Sequence, residues 1–237
     1  LGMGWGVEGV AWATFIAEWF ALVMGLAICF VLSQNFPKII WTLIFSRTKI
    51  ITILSVNRDI FLRSLMVEMI FVSFLMTSGK FGDVELAATQ ILLQFLHISS
   101  YGMDGFAFAA EVLVGQAVGK SNRFMLRDAV IKSGLWTFVI AICLALIYAL
   151  FGSFFIKIMT TSDEVILASE AFLIFIVLGP IFGALPFLMD GIFVGATRSI
   201  DMRNMMFLSL VIYVVSAYVL IDLYGFYGLW LALLVSY

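Results

Sequence analysis

Seven apolar runs, each long enough to cross a lipid bilayer, constrain the fold of this 237-residue chain more than any other feature. The hydrocarbon core of a membrane is roughly 30 Å thick and takes about 20 helical residues to cross. Only helices and closed barrels satisfy every backbone hydrogen bond there, and barrel strands would be shorter and alternating. The pattern therefore predicts an all-α, polytopic membrane helix bundle. The predicted spans lie near 8–32, 60–79, 84–118, 129–152, 166–196, 204–221 and 225–237.

The amino-acid composition agrees with a membrane protein and argues against several classes of function. Hydrophobic residues make up 64% of the chain and charged residues 12%, whereas soluble domains have about 45–50% and about 25%. Nucleic acid binding has no support. Cys29 and Cys143 form no metal-ligand cluster, and the chain has no HExxH or GxSxG motif, so we do not expect an enzyme.

Basic residues predict how the spans are oriented. Eleven of the thirteen lysines and arginines lie in loops and flanks on one side, which the positive-inside rule places in the cytoplasm. The connection 33–57 mixes apolar and basic residues, as is typical of an amphipathic linker along a membrane surface. We therefore expect residues 1–32 to be the last helix of an N-terminal lobe and residues 58–237 to be a C-terminal six-helix lobe. Neither end of the chain looks natural, so we expect a fragment of a longer protein with a truncated last helix.

Acidic residues within the spans are the candidate functional groups. A charge at bilayer depth is costly, so it normally faces a bundle interior or a cavity and marks an ion, proton or substrate path. Asp104 and Glu111 are seven residues apart, two turns of helix, and share a face with His97 and Tyr101. This stripe is a candidate substrate path, although His97 also suits a hydrogen-bonded position in the bundle core.

Counting residues from the basic flanks places three acids in one layer. At 1.5 Å per residue, Glu68, Glu111 and Asp190 lie about 8–14 Å in from the cytoplasmic flank, whereas Asp104 lies nearer to mid-bilayer. Such a layer can bind a hard cation such as Na⁺ through carboxylate oxygens. It can equally hold protons, because burial and neighbouring like charges favour the neutral carboxyl group.

The predicted helix around Asp190 is the most irregular one. Pro180 and Pro186 each remove a backbone donor, and Pro186 stands four residues before Asp190. We interpret them as a hinge beside the acid, as in transporters with broken helices, although packing alone can also require such a kink. A weak internal echo relates VGQA at 114–117 to VGAT at 194–197.

Three ordered motifs resemble one family of transporters. YGMDGFAFAAE at 101–111, followed by VGQAVG at 114–119, resembles the eighth helix of MATE (multidrug and toxic compound extrusion) transporters of the DinF-like branch. LMDGIFVGATR at 188–198, with MRN at 202–204, is similar to that branch's tenth helix, and NRDIFLR at 57–63 resembles the entry to its seventh. The resemblance implies a twelve-helix, two-lobe, multi-pass protein of the cell inner membrane. The chain would hold helix six and most of the C-terminal lobe, and the rest of the N-terminal lobe would be its missing partner.

The resemblance also implies a function. The family exports lipophilic, mostly cationic drugs and dyes by alternating access in exchange for H⁺ or Na⁺, without another cofactor, and its Na⁺-linked members use acids that match Glu68 and Asp190. With the residues above, the expected coupling residues are Asp190, Glu68, Glu111 and Asp104. The alternative is a lipid-linked oligosaccharide flippase of the same superfamily. That function favours basic residues in the cavity, whereas the charges counted within the spans are all acidic.

Overall fold

The computed structural model describes residues 6–33 and 45–237, and those residues are helical except for short turns. The predicted all-α fold is confirmed. The helices are α1 (Gly6–Ser33), α2 (Arg47–Ser78), α3 (Asp83–Gly119), α4 (Arg123–Met159), α5 (Asp163–Gly195), α6 (Ser199–Tyr224) and α7 (Phe226–Ser236).

The chain divides into two compact units, Leu1–Ile50 and Ile51–Tyr237. In the first unit, α1 is an apolar helix whose candidate membrane span, Glu8–Val31, has no buried residues. The second unit contains a core of three mutually packed helices, α3, α4 and α5, while α6 packs mainly against α7.

The predicted linker 33–57 falls partly on residues 34–44, which lie outside the described residues. From Arg47 the chain is helical and continues without a break through the predicted span 60–79. The first part of α2 therefore belongs to the same helix as the predicted span. Its mixture of apolar and basic residues is compatible with a helical backbone.

Five of the described helices are long and apolar enough to cross a membrane, namely α1, α2, α4, α5 and α6. Helix α3 is longer than a span requires, with 37 residues, but it is more polar because it carries glutamines, His97 and four carboxylates. Helix α7 has 11 residues and reaches residue 236.

The turns that follow α3 and α5 have the same backbone structure. Ser121 and Thr197 take positive φ angles of 52° and 56°, a conformation that few non-glycine residues adopt. The next residue in each turn donates its N–H to the carbonyl five positions earlier, at 3.0 and 2.8 Å. This hydrogen bond belongs to the Schellman motif that ends many helices.

These turns reveal an internal repeat of two helical hairpins, α3–α4 and α5–α6. Thr197 follows Ser121 by 76 residues (197 − 121), and that shift aligns GQAVGKS at 115–121 with GIFVGAT at 191–197. The weak sequence repeat predicted between 114–117 and 194–197 is therefore in the wrong register. It differs from the alignment of the turns by four residues, about one turn of helix.

Two glycines bring the backbones of α3 and α5 into contact. A Cβ on Gly191 would lie 2.1 Å from the carbonyl oxygen of Ala107, and one on Gly195 would lie 2.4 Å from that of Glu111. Neither position has room for a side chain. As in other membrane bundles, small residues allow close helix approach, and here the seam passes directly beside Glu111 and Asp190.

An aromatic core occupies the other end of the second unit. The rings of Phe74 on α2 and Trp230 on α7 meet edge to face, with centroids 4.8 Å apart. The Tyr148 hydroxyl of α4 donates to the carbonyl of Phe95 at 2.9 Å and lies 3.0 Å from the Ser99 hydroxyl. This aromatic core joins side chains of α2, α3, α4, α5 and α7.

We predict that Gly191→Ala destabilises the protein, because its methyl group would overlap the Ala107 carbonyl and push α3 and α5 apart. Overpacking of this kind typically costs about 1–3 kcal/mol. The melting temperature of the purified protein in detergent should fall by several degrees. Gly105→Ala is the matched control, since a Cβ there meets nothing within 4 Å, and an equal loss in both variants would contradict the seam.

Candidate functional site

The centre of the candidate site is an ion pair between α2 and α5. The Arg63 guanidinium donates to the Asp190 carboxylate, and each side chain retains about a quarter of its exposure, 28% and 27%. Arg63 was counted among the cytoplasmic basic flank residues in the sequence. The structure corrects that assignment, because the arginine lies opposite an acid five residues before the end of α5.

Two carboxylates of α3 complete a charged group around this pair. Asp104 and Glu111 are half-buried and stand about one turn to either side of Ala107, whose carbonyl meets Gly191 next to Asp190. Asp104 is thus no farther along α3 from this point than Glu111 is, and its separation from the acidic layer stays a prediction. Charge interactions reach across the roughly 10 Å that separates two helical turns, so residue depth alone does not decide membership.

Glu68 lies on a different side of α2. It follows Arg63 by five residues, a rotation of roughly 140° around an α-helix, and it is exposed. It contributes to a shallow apolar depression formed by α2 alone, lined by Leu65, Glu68, Met69, Val72, Ser73 and Met76. The structure does not bring Glu68 together with Asp190, so their shared Na⁺ site stays a prediction. Among the described residues, no group of three or more His, Cys, Asp or Glu is arranged to hold a metal ion.

The candidate substrate-path residues lie on the exposed side of α3. Tyr101 is 75% exposed, and the His97 ring is also exposed, with its centroid 6.3 Å from that of Phe71. The predicted stripe thus runs along the margin between the buried and exposed faces of α3. Its Asp104 and Glu111 end reaches the charged group.

Both candidate hinge prolines lie inside one continuous helix. Helix α5 runs from Asp163 to Gly195 through Pro180, which is buried, and Pro186, which is half-buried. The hinge stays a prediction. Locally, each proline leaves the carbonyl four residues earlier without its usual hydrogen bond, at Ile176 and Phe182, about four and two turns before Asp190.

A second charged cluster was missed by the sequence analysis. Asp59 on α2 is almost fully buried, at 1% exposure, and its carboxylate accepts from Arg203 at 2.7 Å and from Arg58 at 3.1 Å. The Ser199 hydroxyl donates to its other oxygen at 3.4 Å. One signal was available, because Asp59 and Arg63 are four residues apart and therefore share a face of α2.

The two clusters form an exchanged set of charges. Helix α2 presents an acid and a base one turn apart, while the α5–α6 hairpin presents a base, Arg203, to Asp59 and an acid, Asp190, to Arg63. Such a set of ionised groups within apolar helices is the construction expected of a membrane transporter rather than of a structural bundle.

Comparison with known proteins defines the family. The MatE family model matches residues 60–219. DNA damage-inducible protein F of Escherichia coli (strain K12) is 32% identical over 241 residues, which cover 99% of this chain and 51% of that protein. A MOP superfamily transporter from Pyrococcus furiosus has a similar fold, with a TM-score of 0.69 at 13% identity over 78% of this chain and 41% of that one.

The chain belongs to the MatE family of membrane transporters. The resemblance read from its motifs is confirmed, and the chain spans about half the length of the curated relative that it matches. Proteins of this transporter family are not enzymes in general.

We predict that Asp59→Asn destabilises the protein, because it leaves the largely buried Arg203 without its counter-charge. Removing one partner of a fully buried pair costs about 3–5 kcal/mol, and the partial exposure of Arg203 reduces this to about 1–3 kcal/mol. Thermal unfolding in detergent measures the loss. Asp201→Asn is the control, because its pair with Arg198 at 2.5 Å is exposed. If the two variants melted together, the buried pair would have no special role.

Proposed function

We propose that the full-length protein is a multi-pass antiporter of the cell inner membrane that exports lipophilic, mostly cationic compounds in exchange for H⁺ or Na⁺. The observation that carries this proposal is the Arg63–Asp190 pair, beside which the α3–α5 seam brings the stretch of α3 that holds Asp104 and Glu111. Three acids and one base leave an excess of negative charge between helices. In a low-dielectric setting that excess attracts a cation strongly.

Competition between two kinds of cation would then drive export. A lipophilic cation binds while the carboxylates are charged, and a proton or Na⁺ that enters from the other side neutralises them and releases it. Alternating access between two lobes lets each ligand reach the group from one side at a time. The exposed aromatic residues of α3, such as Tyr101 and Phe108, offer ring faces to a flat cation.

The alternative function is the flipping of a lipid-linked oligosaccharide, whose anionic phosphates need basic residues. Arg63 is a specific observation in its favour, because the charges within the helices are not all acidic, contrary to the sequence analysis. The Pyrococcus furiosus MOP transporter is described as having a binding pocket of reverse polarity that suggests a different function. Pocket charge is thus a criterion in this superfamily, and three acids against one base favour the cation exporter here.

We expect Asp190→Asn in the full-length protein to lower efflux of a lipophilic cationic dye at least about tenfold, because it leaves Arg63 without its counter-charge inside the site. Efflux from proteoliposomes is measured under a pH gradient alone and under a Na⁺ gradient alone, which also identifies the coupling ion. Equal amounts of protein in the membrane are the control. Normal efflux by this variant would remove Asp190 from the mechanism, and no efflux by the wild type under either gradient would refute the exporter.

Glu68→Gln should reduce efflux less than Asp190→Asn does, because Glu68 lies on another face of α2 and outside the charged group. The same proteoliposome assay compares the two variants, including the dependence on pH and on Na⁺. An unchanged dependence would assign Glu68 a structural role. A loss as deep as that of Asp190→Asn would instead place Glu68 in the coupling mechanism.

A further inference from the structure

We infer that Arg63 is a specificity-determining residue of this site, a tethered cation that keeps inorganic cations off Asp190 and leaves Asp104 and Glu111 as the carboxylates open to an incoming cation. This inference rests on the proposed cation-coupled export and concerns how that site selects its ligand. It assigns different roles to acids that the sequence treated as one set.

The first argument is that the Asp190 carboxylate already has a partner. The Arg63 guanidinium is in contact with the carboxylate of Asp190, and an arginine side chain stays protonated at any physiological pH. A Na⁺ ion needs several oxygen ligands at short range. It could use Asp190 only after the guanidinium left, which would place an unpaired charge between apolar helices.

The second argument is that Arg63 is held in place by its own helix. One turn earlier on α2, Asp59 is buried and bound to Arg203 at 2.7 Å. This pair fixes the register of α2 against the α5–α6 hairpin, and therefore fixes Arg63 opposite Asp190. A group already held in contact loses little further freedom on pairing, whereas a dissolved cation gives up its translational freedom when it binds, so a dissolved monovalent cation is at a disadvantage.

The third argument concerns the acids that remain. Asp104 and Glu111 are half-buried on α3 and form no ion pair with a described residue, whereas Asp190 is in direct contact with a base. Once Arg63 and Asp190 neutralise each other, these two carboxylates carry the excess negative charge. They also continue the stripe that leads from Tyr101, which is the exposed side of α3.

A double variant separates this role from direct cation binding by Asp190. Asp190→Asn alone abandons Arg63 as an unpaired cation, so transport of tetraphenylphosphonium by the full-length protein should fall at least about tenfold. Arg63→Gln combined with Asp190→Asn removes both charges and keeps two side chains that can hydrogen-bond, so transport should return to within about threefold of wild type. A double variant as inactive as Asp190→Asn, although present in the membrane at the wild-type level, would show that Asp190 itself binds the cation and would overturn the inference.

A binding measurement tests the same inference without relying on the double variant. Melting temperatures of the purified protein are compared in NaCl and in choline chloride. We expect any stabilisation of the wild type by NaCl to be the same in Asp190→Asn. Arg63→Gln should gain such a stabilisation, because Asp190 is then free to bind Na⁺. Sodium stabilisation of the wild type that disappears in Asp190→Asn would overturn the inference.

The exposed pair Lys132–Asp128 on α4, at 2.8 Å, is the matched control. Lys132→Gln with Asp128→Asn neutralises a pair outside the site, and exposed pairs contribute little, so transport and sodium response should match the wild type. Wild-type transport under a pH or Na⁺ gradient tests the proposed function, whereas the comparison of single and double variants tests the role of Arg63. The two failures are therefore distinguishable.

Discussion

Two exchanged ion pairs between α2 and the α5–α6 hairpin are the interaction on which the charged end of the structure depends. Asp59 pairs with Arg203 and, one turn along α2, Arg63 pairs with Asp190. Both pairs form in a single register. A shift of α2 by one turn in either direction would bring two acids or two bases together, and in low dielectric such repulsion is large. The two pairs therefore specify the register of α2 against the α5–α6 hairpin. Apolar contacts alone would specify that register less strongly.

The glycine seam between α3 and α5 sets the geometry on the other side of the site. Because Gly191 and Gly195 carry no side chain, the α3 backbone near Ala107 and Glu111 approaches that of α5 directly. Gly115 and Gly119 of the α3–α4 hairpin have the same spacing. The glycines of the seam therefore belong to the second copy of the repeat. Dispersion contacts and small residues, rather than the hydrophobic effect, hold helices together within a membrane.

The two copies of the repeat differ in how their charges are used. Arg203 of the second hairpin is held by Asp59, whereas Arg127, its equivalent 76 residues earlier, is exposed. Both arginines stand six residues after the positive-φ residue of the repeated turn, and the difference between them comes from the neighbouring helix. Asp59 on α2 reaches the second hairpin, and this contact turns a flank residue into part of a buried cluster.

Much of the fold could be predicted because it depends on local properties. Run lengths and hydropathy identified the helices that cross apolar surroundings, and the motifs around Asp104 and Asp190 identified the MatE family. Residue counting predicted that Glu68, Glu111 and Asp190 lie at similar depth, but depth does not say which way a side chain faces. Glu68 is exposed on another side of α2, whereas Glu111 lies on the stretch of α3 that meets α5.

The sequence is enough to identify a membrane protein of packed helices that carries acidic side chains at bilayer depth, where a charge is energetically costly. Hydropathy and periodicity belong to single segments, so they suffice for that conclusion. Only the tertiary structure decided which acids share a site, and that Arg63 belongs among them. An ion pair depends on the face that each helix turns to its neighbour. That face is set by glycines 84 residues from the backbone that they meet and by charges 127 residues apart in the chain.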